Sequence, residues 1–181
     1  MQNELYISVD VETSGPIPGE YSLLSIGACV VGSPDNPFYI ELKPLNENFT
    51  NEALETSKFD LKELNSKGIE PARAMKRLAK WVKTVSENAR PIFVGFNAPF
   101  DWSFVNYYFI KFVGLNKNPF GHTALDIKSY YMGAYKTSWT ETSMRNLPRD
   151  IHSPEQPLNH HALADAMQQA EIFQRLLRRS K

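Results

Sequence analysis

Asp10 and Glu12 stand two positions apart at the end of the apolar, β-branched run LYISVDVET. In an extended strand, residues i and i+2 face the same way, so both carboxylates leave the sheet together. Like charges that close repel, and one holds its proton unless something positive lies between them. A hard divalent cation such as Mg²⁺, which takes carboxylate oxygens and keeps several waters, meets that need. Taken alone, the pair reads more simply as two solvated acids in the turn before Gly15 and Pro16.

Further acids shift that balance. Asp101 follows the strand-like PIFVGFN and falls in the first turn of the next helix. Open α/β sheets put ligands at the C-terminal ends of their strands, although a first-turn Asp also suits a helix dipole. Asp165 lies in LNHHALADAMQQAEIF, among Ala162, Leu163, Ala164 and Ala166. Small neighbours admit another element at close range, which is odd for a solvated face. Helical spacing pairs His161 with Asp165; His160 shares those surroundings only if it lies at the helix start or in the loop before it. Four acids and a histidine are the inventory of a two-metal phosphoryl-transfer site. There, cations about 3.5–4 Å apart clamp the attacking and leaving oxygens, and a neutral histidine takes a proton from the attacking water.

The elements that must position these groups are legible in outline. LYISVD, SLLSIGACVVG and PFYIELKPL read as three strands, with SPDN as the second turn. Leu5, Ile7 and Val9 share one face; Tyr6, Ser8, Asp10 and Glu12 share the other. Asn51 and Asp60 are candidate helix N-caps, with Gly68 as a stop. Pro71 opens a helix whose buried stripe is Met75, Leu78, Trp81 or Val82, and Val85. Arg73, Arg77, Lys80 and Lys83 form a basic stripe on the same helix, read as a solvated face or as a site for a phosphate backbone or a partner. After PIFVGFN, a helix from about Pro99 carries Phe100, Phe104, Tyr108 and Phe112 at i, i+4 spacing. TALDIKSYY is a short strand and helix, LPRDIHSPEQPLN a proline-rich loop or flap, and the final helix spans about Asn159 to Leu177. Strands followed by alternating strands and helices indicate one mixed α/β domain over residues 1–181.

Composition bounds the rest. With 181 residues, 42% hydrophobic, 22% charged and formally neutral, the chain is an ordinary globule. No run is long and apolar enough for a membrane, and no export signal is visible at the N-terminus. One cysteine, Cys29, excludes an internal disulfide, suits the cytoplasm and reads as a small core residue. Neutrality argues against a grip on long duplexes and leaves short single strands open.

Three segments, SVDVETSG followed by LLSIGA, VGFNAPFDWSF, and HHALADA, resemble in order the motifs of the DEDD exonucleases, in their histidine-bearing subclass. Ribonuclease T, oligoribonuclease and the proofreading exonuclease of bacterial DNA polymerase are among the relatives. The resemblance covers nearly the whole chain. It implies a ribonuclease H-like α/β fold with a five-stranded mixed sheet, an antiparallel meander and then parallel strands. It also implies two Mg²⁺ or Mn²⁺ ions and 3′–5′ hydrolysis of single-stranded nucleic acid to nucleoside 5′-monophosphates. By position, Asp10, Glu12, Asp101 and Asp165 would hold the metals, Asp10 bridging both, and His160 would be the general base, against the helical spacing that favours His161. Thr13 and Ser14 resemble residues at the 3′-terminal nucleotide, and Leu24 lies near terminal bases by looser analogy. Phe100 or Trp102 could stack on a base, core packing being the plainer role of Phe100. The proline-rich segment would deliver the base; His152 within it lacks an acid at the right distance. Asp126 is read as structural. Phe96 departs from the histidine common in relatives, which bears on substrate detail rather than on activity. RNA or short oligonucleotides are favoured over DNA, and the resemblance allows a homodimer. The alternatives are a silent nucleic-acid-binding module and an endonuclease of the wider group.

Overall fold

The computed structural model describes residues 3–152 and 160–179. At its centre is a sheet ordered β3-β2-β1-β4-β5. The strands are β1 (Glu4–Thr13), β2 (Leu23–Val30), β3 (Ser33–Glu41), β4 (Arg90–Gly95) and β5 (Ala124–Asp126). The first three form the antiparallel meander; β4 joins β1, and β5 joins β4, in parallel.

Alternation along β1 decides what each face carries. Ile7, Val9 and Val11 enter one core, with α3 (Pro71–Ser86) and α4 (Ala98–Phe112) over them. Tyr6 faces the other side, edge-on to Phe173 at 5.4 Å, beneath α5 (Ile127–Tyr135) and α6 (Ala162–Arg179). Asp10 and Glu12 share the parity of Tyr6 and so lie on the α6 side. Pro71 opens α3, and Met75, Leu78 and Val82 are its buried stripe; Trp81 is half-buried and donates its indole N–H to the Asn36 carbonyl at 3.0 Å. In α4, Phe104 and Tyr108 are fully buried. Cys29 is buried beneath α6, as a small core residue should be.

Three local expectations are corrected. The SPDN stretch is strand: Val30 pairs with Ser33 across Val31 and Gly32, and Gly32 supplies the positive φ of +84°. Because β3 is an edge strand, it tolerates Pro34 and Pro37. The cap of α1 (Asn51–Ser57) is Thr50 rather than Asn51, its hydroxyl accepting from Ala53 N–H at 3.2 Å; Asp60 does cap α2 (Leu61–Lys67). The last helix begins at Ala162 rather than at Asn159, a residue outside those described.

Gly27 is what lets α6 lie on the sheet. A Cβ there would stand 2.2 Å from the backbone of Ala162 and Leu163, and Gly27 pairs with Asp10 across the ladder. Gly27→Ala must therefore lift the start of α6 off β2. We expect a loss of about 3 kcal/mol, in the range of overpacked cores, read as a Tm lower by roughly 6–12 °C for a chain of this size. A Tm within error of the parent would show that the close approach carries no weight.

Candidate active site

Opposite layers of the molecule meet at the end of β1. The β1–β2 register shifts between Glu12 and Thr13, and the acids stand where regular pairing ends. From one side, α4 brings Asp101: its Oδ1 accepts from the Val11 N–H at 3.0 Å, between Asp10 and Glu12 in sequence. Its start is set by Asn97 at φ +69° and by Asp126 at the end of β5. Asp126 accepts from Ala98 N–H (3.0 Å) and from the Ser129 N–H (2.8 Å), coupling α4 to α5. That is the structural part expected of Asp126.

From the other side, α6 brings Asp165. His160 precedes it in a left-handed backbone conformation, φ +52°, a cost borne where the surroundings impose it. One ligand atom each from Glu12, His160 and Asp165 lie within 4.8 Å of one another. His161 takes another course. Its carbonyl accepts the Asp165 N–H at 3.0 Å, and its ring stacks on Tyr39 of β3, centroids 4.6 Å apart. Both histidines thus lie ahead of the helix, and it is His160 whose ring reaches Glu12 and Asp165.

Gln169, one turn beyond Asp165 and 2% exposed, is a residue the motifs did not single out. Its Nε2 donates to Asp10 Oδ1 at 2.6 Å and its Oε1 accepts from the Phe96 N–H at 2.8 Å, pinning Asp10 to the end of β4. The i, i+4 relation to Asp165 was the available signal.

Burial and mutual repulsion dominate the electrostatics. Burial, then Asp101, Glu12 and Asp165, push the Asp10 carboxyl well above the usual carboxylate range, against the Gln169 hydrogen bond. Burial and then Asp165 raise Glu12 to about 7. Burial raises Asp101 to about 8 despite the Val11 N–H. Four converging carboxyls and an imidazole, three of the acids held above their ordinary range, are a hard, oxygen-rich donor set that a divalent cation fits. A pH dependence follows. In the unfolded chain these carboxyls ionise near pH 4, so between there and their native values the folded state binds more protons and stability falls as pH rises. Buried His152, held below its usual value first by burial and then by Arg175, opposes the trend only on the acid side. Metal-free protein should therefore melt higher at about pH 6.5 than at about pH 8.5. Asp101→Asn or added Mg²⁺ should flatten that difference; a Tm rising with pH over the same window would contradict the assignment.

Beside Glu12 opens a cleft of ≈ 410 Å³, lined by β1, the Gly15-Pro16 turn, Phe100 and the α1 wall of Thr50, Glu52, Ala53 and Thr56. That wall was not foreseen. The loop before α1 is strapped to the first motif: Ser14 donates to the Asn48 carbonyl (2.7 Å), Thr50 N–H donates to the Ser14 carbonyl (2.8 Å), and Asn46 and Asn48 donate to the Glu20 carbonyl. Of the expected substrate contacts, Thr13 and half-buried Phe100 line the cleft. Ser14 and Leu24 have no exposed surface, and Trp102 packs edge-on to Phe93 at 5.3 Å. His152 is 5% exposed and Ile151 accepts from Arg175 at 3.0 Å, so this part of the proline-rich segment is fixed against α6 rather than forming a flap. Residues 153–159, to which the flap reading also extends, lie outside those described.

The exonuclease profile of the RNase T family matches residues 7–173, nearly the whole chain. The chain belongs to that family, within the DEDD exonuclease superfamily, and is a 3′–5′ exonuclease. It is 48% identical over 171 residues, 94% of this chain and 90% of the other, to the Escherichia coli 3′–5′ DNA exonuclease Cap18. Among solved structures it resembles the nuclease domain of 3′hExo, a DEDDh family member bound to rAMP (TM-score 0.79, 13% identity, 97% of this chain and 92% of that one). It also resembles E. coli exonuclease I in complex with a dT13 oligonucleotide (TM-score 0.74, 16% identity, 97% and 41%). At those identities the likeness carries the ribonuclease H-like fold. No helix among the described residues is long and apolar enough to cross a membrane.

Proposed function

We propose that residues 1–181 form a single exonuclease domain that removes nucleoside 5′-monophosphates from the 3′ end of single-stranded nucleic acid. In this reading Asp10, Glu12, Asp101 and Asp165 would hold two divalent cations, Mg²⁺ or Mn²⁺, and His160 would be the general base. The observation that carries it is the meeting of Glu12, Asp165 and His160 ligand atoms within 4.8 Å, beside Asp10 and Asp101. Bound there, the cations would supply Lewis-acid stabilisation of the phosphate and a more acidic attacking water.

The protein's own groups do the rest. Gln169 and the Val11 N–H hold the Asp10 and Asp101 carboxyls in place, so little reorganisation is left for the reaction itself. His160, exposed at the rim, accepts the proton of the attacking water and returns it to solvent. The cleft of Thr13, Phe100 and the α1 wall takes the terminal nucleotide, with Phe100 against its base. Sequence reasoning alone leaned to RNA; the 48% identity to a DNA exonuclease makes DNA the first substrate to test.

The test uses 5′-labelled single strands of DNA and RNA, with Mg²⁺ or with EDTA. Stepwise shortening from the 3′ end, with release of 5′-mononucleotides, is expected only with the metal, and faster on DNA. Binding without shortening would favour the silent module, and internal fragments an endonuclease. Light scattering on the same samples reads whether the protein is a dimer.

A further inference from the structure

The formally neutral chain sorts its charges unevenly. Helix α3 carries Arg73, Lys76, Arg77, Lys80 and Lys83 on its exposed face and no acid between Pro71 and Ser86. Arg73 and Arg77, and Lys76 and Lys80, are i, i+4 like-charge pairs, a spacing that destabilises a helix. Arg73 also stands in the first turn, where the helix dipole disfavours cations. The neighbouring helices are built differently: α2 sets Glu63 against Lys67 at 2.8 Å, and α6 sets Glu171 against Arg175 at 3.4 Å. None of the five α3 cations has a carboxylate within ion-pair distance among the described residues. The stripe thus works against its own helix, and an external polyanion is what would offset that.

Its course favours the same answer. Ser25 pairs with both Glu12 and Glu41, and Leu42 bridges to Ile69, so the residues just ahead of α3 lie level with the catalytic acids. From there α3 runs away from that level on the sheet face covered by α4, whose Phe100 lines the cleft. Ten residues from Arg73 to Lys83 span about 15 Å. Lys117, across a shallow cavity from Lys83, extends the track.

We propose that the α3 stripe is a phosphate-binding track for the body of the nucleic acid whose 3′ end occupies the cleft. It rests on the reading that this chain acts on nucleic acid. A track of this kind acts on long strands and is idle on short ones. The experiment compares the parent with Arg73→Glu/Arg77→Glu/Lys80→Glu, using a single strand of about twenty nucleotides and a trinucleotide, over a range of salt. The variant should lose at least about tenfold in kcat/KM on the long strand, and its log–log salt slope should fall by about 2, near 0.7 per phosphate contact. Trinucleotide hydrolysis should be unchanged, and the Arg→Lys counterpart should behave as the parent. Equal loss on both lengths, or no change in slope, overturns the track while leaving the exonuclease intact. Should the parent cut neither strand, the functional reading fails, and the salt slope of strand binding measured by anisotropy still decides the track.

Discussion

Asp10→Ala is expected to abolish turnover, with a fall of roughly 10⁴-fold or more, about 5.5 kcal/mol in the barrier. Asp10 is the acid that feels all three of the others, Asp101, Glu12 and Asp165. It is also the one given a dedicated buried donor, Gln169, at 2.6 Å. On the proposed reading its carboxylate is the ligand on which the set depends, and such units collapse when one member goes. The fold should survive, because relief of repulsion among the carboxyls offsets the loss of the hydrogen bond from Gln169. Metal-free Asp10→Ala should melt no lower than the parent and should no longer gain Tm with Mg²⁺. Single-turnover rates and thermal shift on the same samples separate the two effects. Retention of a tenth of the parent rate would refute the assignment.

His160→Ala should lower kcat by about 10²–10⁴-fold, the usual worth of a positioned acid–base group, while the Mg²⁺-dependent gain in Tm largely persists. His161→Ala is the control. It removes the stack on Tyr39, a contact of about 1 kcal/mol, and should cost stability with little change in kcat. If His161→Ala instead proves the more damaging to kcat, the base has been assigned to the wrong neighbour.

Three of the four acids were readable as candidates because each lies near an element end: Glu12 where β1 stops, Asp101 one turn into α4, Asp165 one turn into α6. Strand parity alone placed Asp10 and Glu12 on one face. The choice between the two histidines was not readable from periodicity. An ideal helix puts His161 beside Asp165; here both histidines precede α6, the ring of His161 lies on Tyr39, and His160, at a positive φ, reaches Glu12 and Asp165. The α1 wall was invisible for another reason. The loop that places it is held by hydrogen bonds to Glu20, Ser14 and Ser22, contacts between segments that no local pattern joins. SPDN misled because turn-forming residues also suit an edge strand, where a missing N–H is harmless.

The Gln169–Asp10 hydrogen bond joins residues 159 positions apart in the chain. During synthesis, then, the first strand emerges long before the segment that completes its chemistry. A ribosome-bound intermediate lacking α6 carries Asp10, Glu12 and Asp101 without Asp165 or either of the histidines beside it. On the proposed reading, a nascent polypeptide would stay harmless until α6 has emerged and docked, and unlatching that one helix would disarm the folded molecule.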